Sequence, residues 1–420
     1  MAIIKPIKAL HYTEKAGNLS DNVCPPYDII NEEERAELIK SSPYNLVQLE
    51  LPTGEEKYAR AGQLLNQWIE VGILSRDDKD GMFIYRERFS VKGREYVFTG
   101  LICLAKLYEF SEKVVLPHEE TLTKAKTDRF NLMNATLCNF SSVYSLYLDP
   151  DGTIKSILSK AASGCPLHEF KDDEGVIHSL WKIEDASEIS ALQNSFEDKQ
   201  LFIADGHHRY ETALNFKRHL AEQNRLDGTT ADYMMMTLVD MDDKGLVIFP
   251  THRIITGLDI DRKALLEKVS ENFDIVEYPD VTKAEDALEQ YGDRHAFAMY
   301  EGGEGFTLLV AKPQVDNIVY EGRSQAYAKL DVTVLHSLIL ENALGIDKEN
   351  MANQTNLRYT RSPQEAVERV KKGEGVLAFI INPTKIHEIK NVSLAGDKMP
   401  QKSTYFYPKL KTGLVINKLD

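Results

Sequence analysis

The sequence predicts a mixed α/β protein, with helices packed on mixed sheets, in two lobes. Three observations carry this. Short apolar runs bounded by Gly, Pro, Asn and Asp alternate with amphipathic stretches at helical spacing along the whole chain. The chain has 420 residues at 43% hydrophobic content, more than a single core usually holds. One stretch, residues 201–214, passes from apolar strand through Asp205-Gly206 to a helical pattern within a few residues.

In chain order, residues 2–10 read as a strand. CPPYDII (24–30) follows; its two prolines fix an extended loop carrying Tyr27 and Asp28, which can line a pocket. Asn31 then caps a helix over 32–39, with Glu34 completing a capping box. Residues 42–51 read as extended. Residues 55–73 form an amphipathic helix on the stripe Tyr58, Ala61, Leu64, Leu65, Trp68 and Ile69, closed by Gly72; that stripe is core. Residues 82–88 and 94–103 read as a hairpin turning at Lys92-Gly93, with Arg86 and Arg88 solvated or ion-paired.

An apolar strand at 114–116 stops at Pro117, and His118, Glu119, Glu120 and Thr121 follow at once. Lys124, Lys126, Asp128 and Arg129 come next, leading into a charged helix. Acid/base side chains and cations in so short a span are what an active-site loop needs. Residues 139–148 read as a strand. Residues 153–200 read as helix, polar strands and helix.

The stretch at 201–214 then puts His207, His208 and Arg209 on the first turn of a helix whose buried face is Tyr210, Ala213, Leu214, the Lys217 stem and Leu220. The first N–H groups of a helix have no intrahelical partner, and the helix dipole adds positive potential there. Gly206 lets a ligand approach the backbone, and Arg209 offers a planar cation matched to phosphate. His207 and His208 can donate to phosphate oxygens or move protons near neutral pH. The stretch is therefore read as an anion site, most simply a phosphate site. Adjacent histidines diverge on a helix, so no metal is assigned to the pair.

Beyond it, residues 233–239 form a methionine-rich core strand and 246–249 another, and His252-Arg253 is a further candidate anion contact. Residues 258–350 alternate helix and strand, with an acidic exposed helix at 283–291 and a helix at 333–344. Residues 364–371 are helical and 375–381 are a strand. The tail concentrates Lys398, Lys402, Lys409 and Lys411 with Ser403 and Thr404 and is read as a source of phosphate contacts; without a glycine-rich lead-in it is not a P-loop.

Net charge is −15, from 65 acidic and 50 basic residues, which disfavours nonspecific binding to nucleic acid or anionic membrane. Cys24, Cys103, Cys138 and Cys165 show no CxxC spacing and read as reduced, mostly buried thiols. The N-terminus lacks a signal-peptide layout and no apolar run is long enough to span a bilayer, so a cytoplasmic location is expected.

CPPYDII, LPHEET (116–121) with Asp128-Arg129, ADGHHRYETAL (204–214) and MPQKSTYFYPK (399–409) with TGL (412–414) together resemble the bacterial and archaeal family known as domain of unknown function 1015, from near residue 5 to about residue 416. The DGHHR box is also similar to the phosphate-binding box of ParB/sulfiredoxin-like proteins, including free-serine kinases. That resemblance implies a ParB/sulfiredoxin-like nucleotide-binding lobe over 1–255, with insertions, and a second α/β lobe over 256–420 whose tail, 396–414, returns to the site. It implies ATP or ADP with Mg²⁺ as cofactors and phosphoryl transfer to a small hydroxyl compound. An association of the family with serine-biosynthesis genes points to L-serine. Gly206, His207, His208, Arg209, Lys402, Ser403, Thr404 and Lys409 would hold phosphates. Glu119 or Asp205, with His118, would do the acid/base work, and Tyr27, Asp28 and Arg129 would face the substrate. Two other readings stay open: a metal-assisted phosphoester hydrolase, for instance of phosphoserine, and a nucleotide-responsive regulator. No membrane or nucleic-acid partner is expected, and the oligomeric state is open.

Overall fold

A computed structural model describes residues 1–121 and 123–419, without the side chains at 123 and 124, so Lys124 lies outside the described residues. The chain divides into two compact units. The first takes Met1–Pro117, Thr121–Val247 and Pro408–Asp420; the second takes His118–Glu120 and Ile248–Tyr407. The division falls at Val247 rather than at 255, and the basic tail is itself divided, after Tyr407.

The first unit is built on a mixed sheet in which nine strands are described. Its order is Val115–Leu116, Leu201–Asp205, Val143–Tyr147, Tyr233–Asp240, Arg94–Lys106, Met82–Val91, Ile177–Ile183 and His168–Lys171, with Ile4–Lys5 also on Arg94–Lys106. The long hairpin turns at Lys92 (φ 50°) and Gly93 (φ 77°), the two positive φ values that a two-residue turn needs to match strand twist. Helix His207–Glu222 lays Tyr210, Ala213, Leu214, Phe216 and Leu220 into the core on this sheet. Full burial of a side chain such as Leu214, Phe216 or Leu220 contributes about 1.5–3 kcal/mol. The Tyr210 hydroxyl pins the helix further, donating to the Tyr108 carbonyl at 2.8 Å and accepting from its N–H at 2.9 Å.

Local chemistry explains where this unit departs from the sequence reading. The strand expected over 2–10 is two, Ile4–Lys5 and Leu10–Tyr12, with Pro6, which has no N–H to give a ladder, following the first. The extended segment at 42–51 contains a helical turn, Val47–Glu50. Buried Asn45 makes it: its Oδ1 accepts from Val47 N at 3.0 Å while its Nδ2 donates to the carbonyls of Asp21 and Val23. The strand expected over 139–148 is also two, because the Asn139 side chain accepts from Met235 N and Asn417 Nδ2 and ties Cys138–Asn139 to Asn417–Lys418. The capping box is present: Asn31 and Glu34 bond each other's backbone N–H at 2.9 Å ahead of helix Glu32–Ser41. The stripe helix runs Lys57–Glu70.

The second unit carries an antiparallel sheet of six described strands, ordered Phe273–Tyr278, Phe306–Ala311, Ala296–Tyr300, Leu377–Ile381, His252–Ile255 and Leu357–Thr360. Helices Ala284–Glu289 and Pro363–Lys371 pack their alanine and leucine or valine faces on it, so the acidic helix is not wholly exposed: Ala284, Ala287 and Leu288 are in the core. The helix expected at 333–344 is Asp331–Val334 followed by a π-helical stretch, Leu335–Glu341, whose wider repeat shows in Leu344 N bonding Ile339 O at 2.9 Å. Among the described residues, no helix is long and apolar enough to cross a membrane. The four cysteines are free thiols, and Cys165 alone is exposed.

Candidate functional site

In the first unit, strand Leu201–Asp205 ends in a register shift against Val143–Tyr147, between Ile203 and Asp205, which re-aims the strand end. Gly206 follows at φ 93°, and helix His207–Glu222 starts on it with no side-chain cap. A side chain at 206 would collide with Arg209, whose Nε, Cζ and Nη2 lie 2.9–3.0 Å from the place a Cβ would take. Glycine is thus required twice, for the left-handed backbone and for the guanidinium folded across it.

That guanidinium turns inward. Arg209 Nη2 donates to Asp205 Oδ2 at 2.8 Å and Nη1 to the Ser142 carbonyl. Lys409 Nζ donates to Asp205 Oδ1 at 2.8 Å. Burial alone would lift the Asp205 carboxyl, but Lys409 and Arg209 outweigh it and hold its pKa far below the usual carboxylate range. His207 is buried and His208 half-buried. Burial lowers the pKa of His208, against the pull of Asp28 and Glu211. Glu211 accepts from Thr121 Oγ1 at 2.7 Å and Lys126 Nζ at 2.8 Å.

The CPPYDII loop reaches the same place. Its residues 27–29 form a 3₁₀ turn, and the Arg129 guanidinium sits 4.0 Å from the Tyr27 ring centroid. Burial, opposed by Arg209 and Arg129, pushes the Tyr27 hydroxyl up to about 12. Cys24 and Thr412 exchange backbone hydrogen bonds at 3.1 and 2.8 Å, so the TGL end of the tail is pinned to this loop and carries Lys409 in with it. Arg129 is buried; it bonds Asp128 through Nε and Nη2 and the Glu50 carbonyl through Nη1. Burial would raise Asp128, but Lys57 and Arg129 hold it down at about 2.

Glu50 is not among the residues the sequence singles out, because it falls in a segment that reads as extended. Its carboxylate is buried, accepts from Ser141 Oγ at 3.0 Å and lies 3.5 Å from Arg129 Nη1. Burial raises its pKa, opposed by Arg129 and Arg209. With Arg129, Ser141 and Arg209 it borders a pocket of about 30 Å³, room for about one water. Lys411 was noted only as a tail cation; it pairs with Asp172 at 2.8 Å.

The first unit thus gathers Tyr27, Asp28, Arg129, Asp205, Gly206, His207, His208, Arg209 and Lys409. The remaining candidates belong to the second unit. His118 is buried, with Nε2 3.3 Å from Thr404 Oγ1, and its carbonyl accepts from Met399 N at 2.8 Å. Glu119 is half-buried beside it. Lys402 is exposed at φ 55°, and the buried Ser403 hydroxyl turns to the Pro400 carbonyl. The LPHEET and MPQKST motifs therefore meet each other. Among the described residues, no group of three or more His, Cys, Asp or Glu side chains is arranged to hold a metal ion.

The model of a family described as "Protein of unknown function (DUF1015)" matches residues 4–333. The tail motif from Met399 onward lies outside the matched part. No curated protein matches the chain. Among solved structures, the chain is similar to a free serine kinase in complex with AMP, at 14% identity and TM-score 0.37, over 75% of this chain and 91% of that one. A variant of that kinase in complex with ADP gives 13%, 0.38 and the same coverage. A conserved hypothetical protein from Pyrococcus furiosus gives 15% and 0.35, over 75% of this chain and 95% of that one. Likenesses of this strength place no residue of this chain.

Proposed function

We propose that this chain, which belongs to the DUF1015 family, binds the phosphates of ATP or ADP at the Gly206 turn of its first unit and transfers a phosphoryl group to a small hydroxyl compound, with L-serine as the first acceptor to test. The observation that carries the reading is the start of helix His207–Glu222: it opens on a glycine at φ 93°, with Arg209 and Lys409 fixed at its mouth by Asp205. The first N–H groups of a helix point out of its end, where phosphate oxygens can accept from them, and the helix dipole favours negative charge there.

The residues divide the work. The N–H groups of His207, His208 and Arg209 would meet the phosphates, and the His208 ring, whose pKa burial lowers, adds a neutral donor. Asp205 is held too acidic to take a proton from a hydroxyl and serves as the anchor that fixes Lys409 and Arg209. Lys409 neutralises charge gathered on the transferred group. Beside Arg129 and Arg209 the carboxylate suited to acid/base work is Glu50, which burial raises and which borders a water-sized pocket; Glu119 remains the candidate base on the second unit. Mg²⁺ fits as an ion carried by the nucleotide's own phosphates, since the described residues offer no ready donor cage for it.

Calorimetry with Mg²⁺ and either ATP or ADP tests this on wild type, His208→Ala and Lys409→Met. Saturable binding weakened at least about tenfold, or about 1.4 kcal/mol, in both variants is the expected result. Absence of binding of either nucleotide to folded wild type sinks the proposal.

A further inference from the structure

The second unit holds a cavity of about 340 Å³, within the size range of small-molecule sites. Two motifs that the sequence singled out build it. Glu120 comes from LPHEET, and Lys398, Met399, Pro400 and Gln401 lead into the tail. The opposite material is the π-helical stretch Leu335–Glu341, which contributes His336, Ser337 and Glu341. π-Helical turns recur at functional sites because they rotate side chains out of α-helical register.

His336 is the informative residue. Its Nε2 lies 3.2 Å from Arg253 Nη2. A guanidinium can only donate, so Nε2 accepts and the ring's proton sits on Nδ1. None of the described residues accepts from that Nδ1–H, and His336 lines the cavity. Burial first, then the charge of Arg253, hold the His336 pKa well below the ordinary imidazole value, so the ring is a fixed neutral donor.

Behind it, Arg253 is fully buried. Its described partners are the carbonyls of Thr251 and Lys402 and the ring of His336, with no carboxylate among them, and its Nε has no partner. An uncompensated buried guanidinium projects positive potential through His336 and through Tyr359, whose ring centroid is 5.5 Å away and which also lines the cavity. The rim adds Arg323, Lys348 and Lys398. Arg323 is paired with Asp397 at 3.5 Å; neither lysine has a carboxylate within ion-pair distance among the described residues. Two acids, Glu120 and Glu341, share the wall, as acceptors for a ligand's hydroxyl or amine groups.

We propose that this cavity of the second unit is a binding site for a small hydroxylated organic anion whose carboxylate or phosphate lies against His336 and the rim cations. The test is calorimetry on the full chain with glycerol 3-phosphate and with malate, using wild type, Lys348→Gln, His336→Phe and the first-unit variant His208→Ala. Binding of at least one of the two anions, weakened about tenfold or more by Lys348→Gln with the melting temperature unchanged, and untouched by His208→Ala, is expected. His336→Phe is expected to abolish it; should that variant fail to fold, Lys348→Gln alone decides. Failure of both anions to bind wild type at millimolar concentration, or binding that Lys348→Gln leaves unchanged or that His208→Ala removes, overturns the assignment.

Discussion

Lys409 Nζ donates to Asp205 Oδ1 at 2.8 Å and joins residues 204 positions apart in the chain. Arg209 holds the other oxygen of the same carboxylate at 2.8 Å. One acid therefore fixes two cations at the start of helix His207–Glu222, and the last stretch of the chain is bound to the turn that opens it.

Lys409→Met is expected to cost about 2 kcal/mol, between the range for surface pairs and that for fully buried ones. The side chains are mostly covered, with 12% and 21% exposed. The sign with pH follows from Asp205, whose folded pKa is depressed. Its stabilisation is fully present above the unfolded carboxyl value of about 3.9 and is lost as pH falls toward the folded value. Urea midpoints of wild type and variant should differ at neutral pH and converge in strong acid. A gap that widens on acidification contradicts the pairing.

Gly206→Ala tests the same turn from the backbone side. It forces a Cβ into φ 93° and to within about 3 Å of the Arg209 guanidinium. Left-handed strain of this kind costs about 1–3 kcal/mol, and the displaced guanidinium loses Asp205 as well. Chemical denaturation should show the loss, and nucleotide affinity should fall in the same variant. A variant as stable as wild type would mean that the turn relaxes and that the glycine is kept for no steric reason.

The residues of the candidate site were legible in the sequence more than their grouping was. Asp205, Gly206 and Arg209 stand in one string, and a strand, a glycine and a helix in succession have few ways to be arranged. Asn31 with Glu34, and Lys92-Gly93, are equally local and were read correctly. Glu50 was hidden, because the turn that buries it is made by the side chain of Asn45 bonding backbone twenty-odd residues away. The tail gave no sign of its division: Lys402 and Lys409 look alike in composition, yet one belongs to each unit. Nor did the periodicity at 333–344 separate π from α, since both bury a stripe and only the hydrogen-bond register differs.

The Asn31 cap offers a control that should leave the site alone. Asn31→Ala removes the acceptor of Glu34 N on an exposed helix end. About 1 kcal/mol of stability should be lost, with nucleotide affinity unchanged within error. A fall in affinity would show that helix Glu32–Ser41 does more than continue the CPPYDII loop.

His178 carries the reverse pH dependence. It is buried between two acids, with Nε2 3.0 Å from Asp172 Oδ2 and Nδ1 3.3 Å from Glu87 Oε1, and the Tyr85 hydroxyl stands 2.7 Å from both Nδ1 and that Glu87 oxygen. Burial alone would lower its pKa; Asp172 and Glu87 outweigh that and raise it. A raised folded pKa contributes stability that is fully present below the unfolded value of about 6.5 and is lost as pH rises through the folded one. Lys411 limits the effect, because it pairs with the same Asp172 oxygen at 2.8 Å and repels the imidazolium. His178→Gln should therefore cost most in mildly acidic solution and progressively less toward alkaline pH, as the wild-type ring loses its proton. Nitrogen-15 spectra of the histidine rings across pH give the direct reading: one ring keeps both protons above the ordinary imidazole value of about 6.5, and its signal is absent from His178→Gln. If all rings in wild type titrate below about 6.5, the imidazole is neutral between its two acids, and the stability difference should not follow pH in this way.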